Sequence, residues 1–330
     1  MTARTMQAPG KMMLCGEYAV LDGAPALLAC AGPMVTARIE TIERSPSIVE
    51  TRLDTDQNWH FSFGDELRWA KPNPPMLIDA LLREFPPLEP CRLSVDSSAF
   101  FAEGRKLGLG SSAAVAVAVG AVLGAAIDAE AVAKMACAHR VFQGDSGSGA
   151  DVHAIATGGV VQFEQGAATS LPAPPEALTI QPIIAKASVS TVNRIARFRS
   201  WQQTARAAGE RLEALGGCAR ELLRRWRAGD NPAIMEGFRD YLARMSEVSD
   251  AAGLDYLGGG HAQLMQLAQD CGVAYKPCGA GGGDLGFAVA IDAEQMRRFR
   301  QLAVDAGFAA PAWPVGTVAP RGDAARGAIH

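Results

Sequence analysis

Apolar and polar positions along this chain fall into two regimes. Up to about residue 100, short runs rich in Val, Ile, Leu and Met alternate with turn residues and predict strands at 11–15, 26–42, 47–53, 59–63 and 91–95. Gly16-Glu17 and Asp22-Gly23 separate the first two, and Lys71-Pro-Asn-Pro-Pro75 leads into a short helix over 76–85. From residue 113 an almost unbroken run of Ala, Val and Gly can only be buried, and a second helix over 128–141 takes Asp128 as its cap. A strand is expected at 160–163. The proline-bearing stretch 164–177 then reads as a loop between two domains, 1–170 and 171–330. The second half opens on a strand at 179–185 and turns helical over 194–227, with an interruption at Gly216-Gly217, and again over 232–248 and 261–271. A strand at 285–291 and a helix over 293–306 complete it. Strands dominate early and helices late, without strict βα alternation, which predicts an α+β chain in two domains.

Charge and composition exclude several classes of function. A net charge of −4 and a pI near 5.8 give no basic field to hold nucleic acid or anionic lipid. The apolar run at 113–127 is shorter than the roughly 20 residues a membrane span requires. Seven scattered cysteines form no Cys-x-x-Cys pair and no zinc spacing, and read as reduced thiols. With no apolar leader ahead of Pro9, the chain is expected to be cytoplasmic, a monomer or homodimer acting on a small molecule.

Three glycine-rich loops carry the chemistry: 108–112, 144–149 and 279–283. In the first, Gly108 and Gly110 allow close backbone approach, Ser111 and Ser112 are good helix caps with free hydroxyls, and a buried helix follows. That order makes an anion site, because the first-turn N–H groups are unpaired and the helix dipole favours phosphate. It is neither a Walker A loop nor Gly-x-Gly-x-x-Gly, since Ala113 stands at the third glycine. A capped helix after a glycine turn would look the same in isolation. Three such loops, each beside hydroxyls or a carboxylate, point to one shared phosphate-handling site.

Ala8-Pro-Gly-Lys-Met-Met-Leu-Cys-Gly-Glu-Tyr-Ala-Val-Leu-Asp-Gly23, Gly108-Leu-Gly-Ser-Ser-Ala-Ala114 and Lys276-Pro-Cys-Gly-Ala-Gly-Gly-Gly-Asp284 resemble, in order, the three motifs of the GHMP small-molecule kinases. Gly-Glu-Tyr-Ala-Val, Lys106 ahead of the second motif and Gly147-Ser-Gly-Ala-Asp-Val152 resemble the family's phosphomevalonate kinases. The resemblance implies an N-terminal α+β domain with a left-handed βαβ crossover and a C-terminal ferredoxin-like domain. It implies ATP-dependent phosphoryl transfer, with Mg²⁺, to a small acidic acceptor, phosphomevalonate first and mevalonate or another small alcohol as the alternative. A non-catalytic nucleotide sensor is the reading from another class. Asp151 would be the catalytic carboxylate and Lys11 would stabilise charge beside it. Lys106, Gly108, Leu109, Gly110, Ser111, Ser112 and Ala113 would hold the nucleotide, with the two serines touching metal. Glu17, Tyr18, Ser148, Gly149, Ser190, Gly281, Gly282 and Asp284 would line the acceptor side. No magnesium glutamate is apparent; roughly at its place stands His139-Arg140, to which no role is assigned.

Overall fold

The first two strands form the spine of the molecule. β1 (Ala3–Cys15) and β2 (Ala26–Thr41) pair antiparallel along nearly their whole length, with register shifts at Pro9/Gly10 and between Met13 and Cys15. A proline inside a strand is accommodated at such an irregularity because its missing N–H breaks the ladder there. The shift has a use: the Lys11 N–H donates to the Leu109 carbonyl at 2.9 Å, tying β1 to the glycine loop. Gly10 leaves room for this approach, since a Cβ there would lie 2.9 Å from the Leu109 Cβ.

The computed structural model describes residues 3–52, 56–63, 66–102, 104–124, 127–144, 147–187 and 191–322. Beyond β2 come β3 (Ser47–Arg52), β4 (Asp56–Phe63), β5 (Leu67–Trp69), helix α1 (Met76–Glu84) and β6 (Cys91–Asp96). The two-residue strands β7 (Phe101–Ala102) and β8 (Arg105–Lys106) form a small hairpin before the helices α2 (Ser111–Val122), α3 (Ala129–Phe142) and α4 (Ala150–Thr157). β9 (Val160–Glu164) and β10 (Ala167–Leu171) follow. The main sheet runs β10-β9-β2-β6-β3-β4-β5, with β1 on the other edge of β2. β3 and β6 run parallel, and the chain passes between them through α1.

β10 is a departure from the expected loop at 164–177. Gln165 and Gly166 both take positive φ, 50° and 81°, so they form a two-residue turn of the type that closes a hairpin, and Glu164 pairs with Ala167.

The second half holds β11 (Thr179–Ile184), α5 (Thr191–Thr204), α6 (Ala208–Ala228), α7 (Asn231–Ala252), α8 (His261–Asp270), β12 (Ala274–Pro277), β13 (Leu285–Ala290) and α9 (Ala293–Asp305). Its antiparallel sheet is ordered β11-β13-β12. The expected helix break falls elsewhere: α6 runs straight through Gly216-Gly217, and the interruption lies at 205–207. Gly216 serves close packing instead, since a Cβ there would meet Ala24 at 3.2 Å. The last short strand, β14 (Arg321–Gly322), returns to pair with β1 at Met6 and Gln7. No helix among the described residues is long and apolar enough to cross a membrane.

α2 is buried from Ala113 to Val122, as its composition demands. Small side chains let neighbours close in: a Cβ on Gly120 would lie 2.5 Å from the Met135 Cε on α3. The helix that presents the serines is therefore held on every side by the core.

Candidate active site

The three glycine loops converge on a cavity of about 490 Å³, a size suited to a small ligand. β1 brings Lys11 to its floor and α4 brings Asp151, and the two side chains form an ion pair at 3.0 Å. Asp151 is the second residue of α4, whose cap position is held by Gly149 in the left-handed conformation (φ 81°), so the carboxylate is not spent on capping. Lys11 is 10% exposed and Asp151 29%: the lysine is enclosed while the carboxylate faces the opening.

Beside Lys11 stands the N-terminus of α2. The expectation that Ser111 and Ser112 cap this helix is corrected by the structure. Gly110 occupies the cap position at φ 71°, and the serines are the first two helical residues, with no side-chain cap bond. Glycine is required at Gly110 because L side chains rarely adopt that φ, and a Cβ would press on the Lys11 stem at 3.0 Å. Unpaired first-turn N–H groups and two serine hydroxyls thus meet beside Lys11. Leu109 is 1% exposed, so its side chain is core and only its backbone belongs to the loop. Ala113 is fully buried and does not line the cavity, so what it can offer a nucleotide is its first-turn N–H. Lys106, exposed on β8, and Gly108 do line it.

The third loop is fastened from behind. Lys276 and Glu17 form an ion pair in which each side chain is 1% exposed. The Lys276 ammonium also donates to the Tyr256 hydroxyl at 3.0 Å and the Pro277 carbonyl at 2.8 Å, and the Gly279 N–H donates to Glu17 at 3.2 Å. Tyr241, Tyr256 and Phe287 surround the ammonium at 5.3, 5.7 and 5.7 Å. Glu17 was expected on the acceptor side. It lines the cavity, and its Oε1 takes the Lys276 ammonium and the Gly279 N–H, so it also joins the first motif to the third. Tyr18 works alongside: its hydroxyl donates to the Ala280 carbonyl at 2.9 Å and its ring lies 4.6 Å from that of Phe198. Burial pushes the Tyr18 phenol up to about 12, so it remains a donor.

Gly281 and Asp284 line the cavity, but Gly282 does not. It faces backwards, its N–H donating to the Tyr256 carbonyl at 2.7 Å, and a Cβ would run into the Arg194 guanidinium. Arg194 itself donates to the carbonyls of Leu254, Asp255 and Ala280 and so clamps the loop to α5. His261 holds the loop's far side. Its Nε2–H donates to the Gly283 carbonyl at 3.1 Å, and its Nδ1 accepts from the Tyr275 hydroxyl at 2.6 Å. Burial lowers its pKa to about 4. In the middle loop, the Ser148 hydroxyl accepts from the Ala150 N–H at 3.3 Å, and Ser148 and Gly149 line the cavity. Ser190 lies outside the described residues.

Sequence reasoning left Lys276, Arg194, His261 and His139 without roles. Lys276 carried a signal: a lysine among Val273, Ala274, Tyr275 and Pro277 sits in a strand that reads as buried, and a buried ammonium requires a partner. His139 also lines the cavity, with Nε2 2.9 Å from the Ser112 hydroxyl oxygen. No cluster of three or more His, Cys, Asp or Glu that could hold a metal occurs among the described residues.

Residues 76–159, from α1 to the start of β9, match the family model described as GHMP kinases N terminal domain. The phosphomevalonate kinase of Streptomyces sp. (strain CL190) is 27% identical to this chain, over 88% of this chain and 90% of that one. Among solved structures, the Lin0012 protein from Listeria innocua superposes with a TM-score of 0.85 at 19% identity, covering 97% of this chain and 99% of that one. The Streptococcus pneumoniae phosphomevalonate kinase in complex with phosphomevalonate and AMPPNP superposes at 0.76 with 20% identity, covering 96% and 100%. The structural likenesses establish a shared fold over the whole chain.

Proposed function

We propose that this chain, a member of the GHMP kinases by its N-terminal domain and its fold, transfers the terminal phosphoryl group of ATP to phosphomevalonate, giving diphosphomevalonate. One observation carries the reading: the Lys11–Asp151 pair, at 3.0 Å, lines one cavity with the N-terminus of α2. Residues 1–170 supply the phosphate loop and the catalytic pair, and 171–330 supply the third glycine loop. Similarity to the Streptomyces enzyme supports the acceptor, as does the fold shared with a kinase that binds phosphomevalonate beside AMPPNP.

Phosphoryl transfer asks a protein for positioning and for charge stabilisation more than for covalent chemistry. The N–H groups at the start of α2 and the left-handed glycines before it receive the nucleotide phosphates. Asp151 accepts the proton that leaves the acceptor as its oxygen attacks. Lys11, held by Leu109 behind it and by Asp151 in front, meets the negative charge that develops on the transferring group. The donor set fits Mg²⁺, since two hydroxyls that cap nothing line the same cavity as the Asp151 carboxylate, and this cation takes few protein ligands and keeps its waters. Ser111 and Ser112 would meet it, and when bound it neutralises phosphate charge. Lys106, exposed at the cavity rim, is placed to meet the anionic end of the acceptor.

The test is a coupled ADP-release assay across mevalonate, phosphomevalonate, diphosphomevalonate, homoserine and galactose, with and without excess EDTA. Turnover should require phosphomevalonate and stop with EDTA. A preference for mevalonate would overturn the acceptor assignment, and absence of turnover with every acceptor would leave a nucleotide-binding sensor.

A further inference from the structure

Two buried histidines stand beside the glycine loops, and they differ in one respect. His261 uses both ring nitrogens, and the Gly283 carbonyl, which can only accept, fixes its proton on Nε2. His139 uses one. Its Nε2 lies 2.9 Å from the Ser112 hydroxyl oxygen, while its Nδ1 is buried with no hydrogen-bond partner among the described residues. The residue is 1% exposed, and the neutral imidazole carries a single ring proton.

Where that proton sits decides what Ser112 can do. With the proton on Nδ1, an N–H donor would be buried without an acceptor, an arrangement native structures rarely tolerate. An under-used acceptor is less rare. The ring is therefore expected to keep its proton on Nε2, facing Ser112. A serine hydroxyl has one proton. Spent on His139, it would leave only lone pairs facing an incoming phosphate, which repel it. If Ser112 instead accepts from His139, its own proton is free for the cavity.

We propose that His139 is a positioning residue: its Nε2–H donates to the Ser112 hydroxyl oxygen and turns the Ser112 proton toward a phosphate oxygen of the bound nucleotide. Ser112 then donates its proton to phosphate and keeps its second lone pair, as Ser111 keeps both of its own, for the cation. The inference rests on reading the cavity as a nucleotide site.

Two measurements test it, both independent of the acceptor. In the unliganded wild-type protein with ¹⁵N-labelled histidine, the His139 ring, identified by its loss in His139→Gln, should show the proton on Nε2. AMPPNP titration should then show Ser112→Ala weakening binding on the order of ten- to a hundredfold, the usual worth of a hydrogen bond to a charged group. His139→Leu should weaken it comparably, and His139→Gln, whose amide can still donate, should recover much of the loss. On the Ser112→Ala background, His139→Leu should add less than about twofold, because the two act as one unit. A proton found on Nδ1 overturns the proposal, as do losses that multiply in the double variant. If the thermodynamic cycle holds while phosphomevalonate gives no ADP release, the acceptor assignment alone fails. If the wild type does not bind AMPPNP, both fall.

Discussion

Replacing Lys276 with Met should be among the most damaging single changes in this chain, although the residue touches no ligand. The substitution keeps the aliphatic stem and removes the ammonium from between Glu17, the Tyr256 hydroxyl and the Pro277 carbonyl. What stays behind is a carboxylate 1% exposed, with the Gly279 N–H as a donor at 3.2 Å and Oε2 without a hydrogen-bond partner. Breaking one half of a buried pair costs about 3–5 kcal/mol, because the surviving charge keeps its desolvation penalty. Total stability is only about 5–15 kcal/mol, so the single variant should lose about a fifth of it or more. Removing the second charge as well, in Glu17→Gln with Lys276→Met, leaves no buried ion and keeps an acceptor for Gly279. The double variant should recover at least half of the loss. Urea unfolding followed by tryptophan fluorescence reads the difference as a shift in midpoint at constant slope. A single variant within about 1 kcal/mol of wild type, or a double variant weaker than the single, would refute the claim that charge pairing holds this junction.

Three further outcomes are expected. Asp151→Asn should lower kcat by roughly 10²–10⁴, the usual worth of a general base, with little change in AMPPNP affinity; a variant keeping most of its kcat would remove Asp151 from the proton transfer. Lys106→Met should raise KM for phosphomevalonate roughly tenfold or more and leave KM for ATP nearly unchanged, since a charge-assisted bond to one substrate is lost; equal effects on both substrates would move Lys106 to the nucleotide side. His261 has a folded-state pKa lowered to about 4 from the ordinary 6.5, so the unfolded chain takes up the proton first and stability is lost as pH falls through that window. His261→Gln should therefore lose less stability between pH 6.5 and 4 than wild type, by about one proton's worth of slope, and parallel pH profiles would contradict this.

The parts of this fold and site that were legible in the sequence are those where composition leaves one physical solution. A run of Ala, Val and Gly behind a glycine-serine turn must be buried, as helix or strand, and α2 is the buried helix. Lys11 and Asp151 were named from resemblance, and the geometry places them in contact. Elsewhere the signals were ambiguous for stated reasons. Glycine marks both breaks and close approaches, so Gly216 read as an interruption although it admits Ala24 to the side of α6. The hairpin at Gln165-Gly166 was obscured by small and polar residues in β10, which show no alternation. Glu17 was named from resemblance, and nothing local betrays its ion pair, whose partner lies 259 positions away. Only the folded chain brings Lys276 to it.

The return of the chain to its own beginning bears on the order in which it can fold. Gln7 pairs with Arg321, and the Arg321 guanidinium donates to the Gln7 side chain at 2.9 Å. Nearby, the Gly316 N–H donates to the Cys30 carbonyl and the Gly159 N–H to the Val318 carbonyl, each at 2.8 Å. The outer edge of β1 is thus covered at Met6 and Gln7 by residues made more than 300 positions later. While the ribosome is still extending the chain, that edge stands open, an unpaired row of N–H and C=O groups of the kind that recruits strands from other molecules. Closing a loop of this length is entropically slow. The nascent chain therefore carries an open stretch of strand edge at Met6 and Gln7 until residues 321 and 322 have been made.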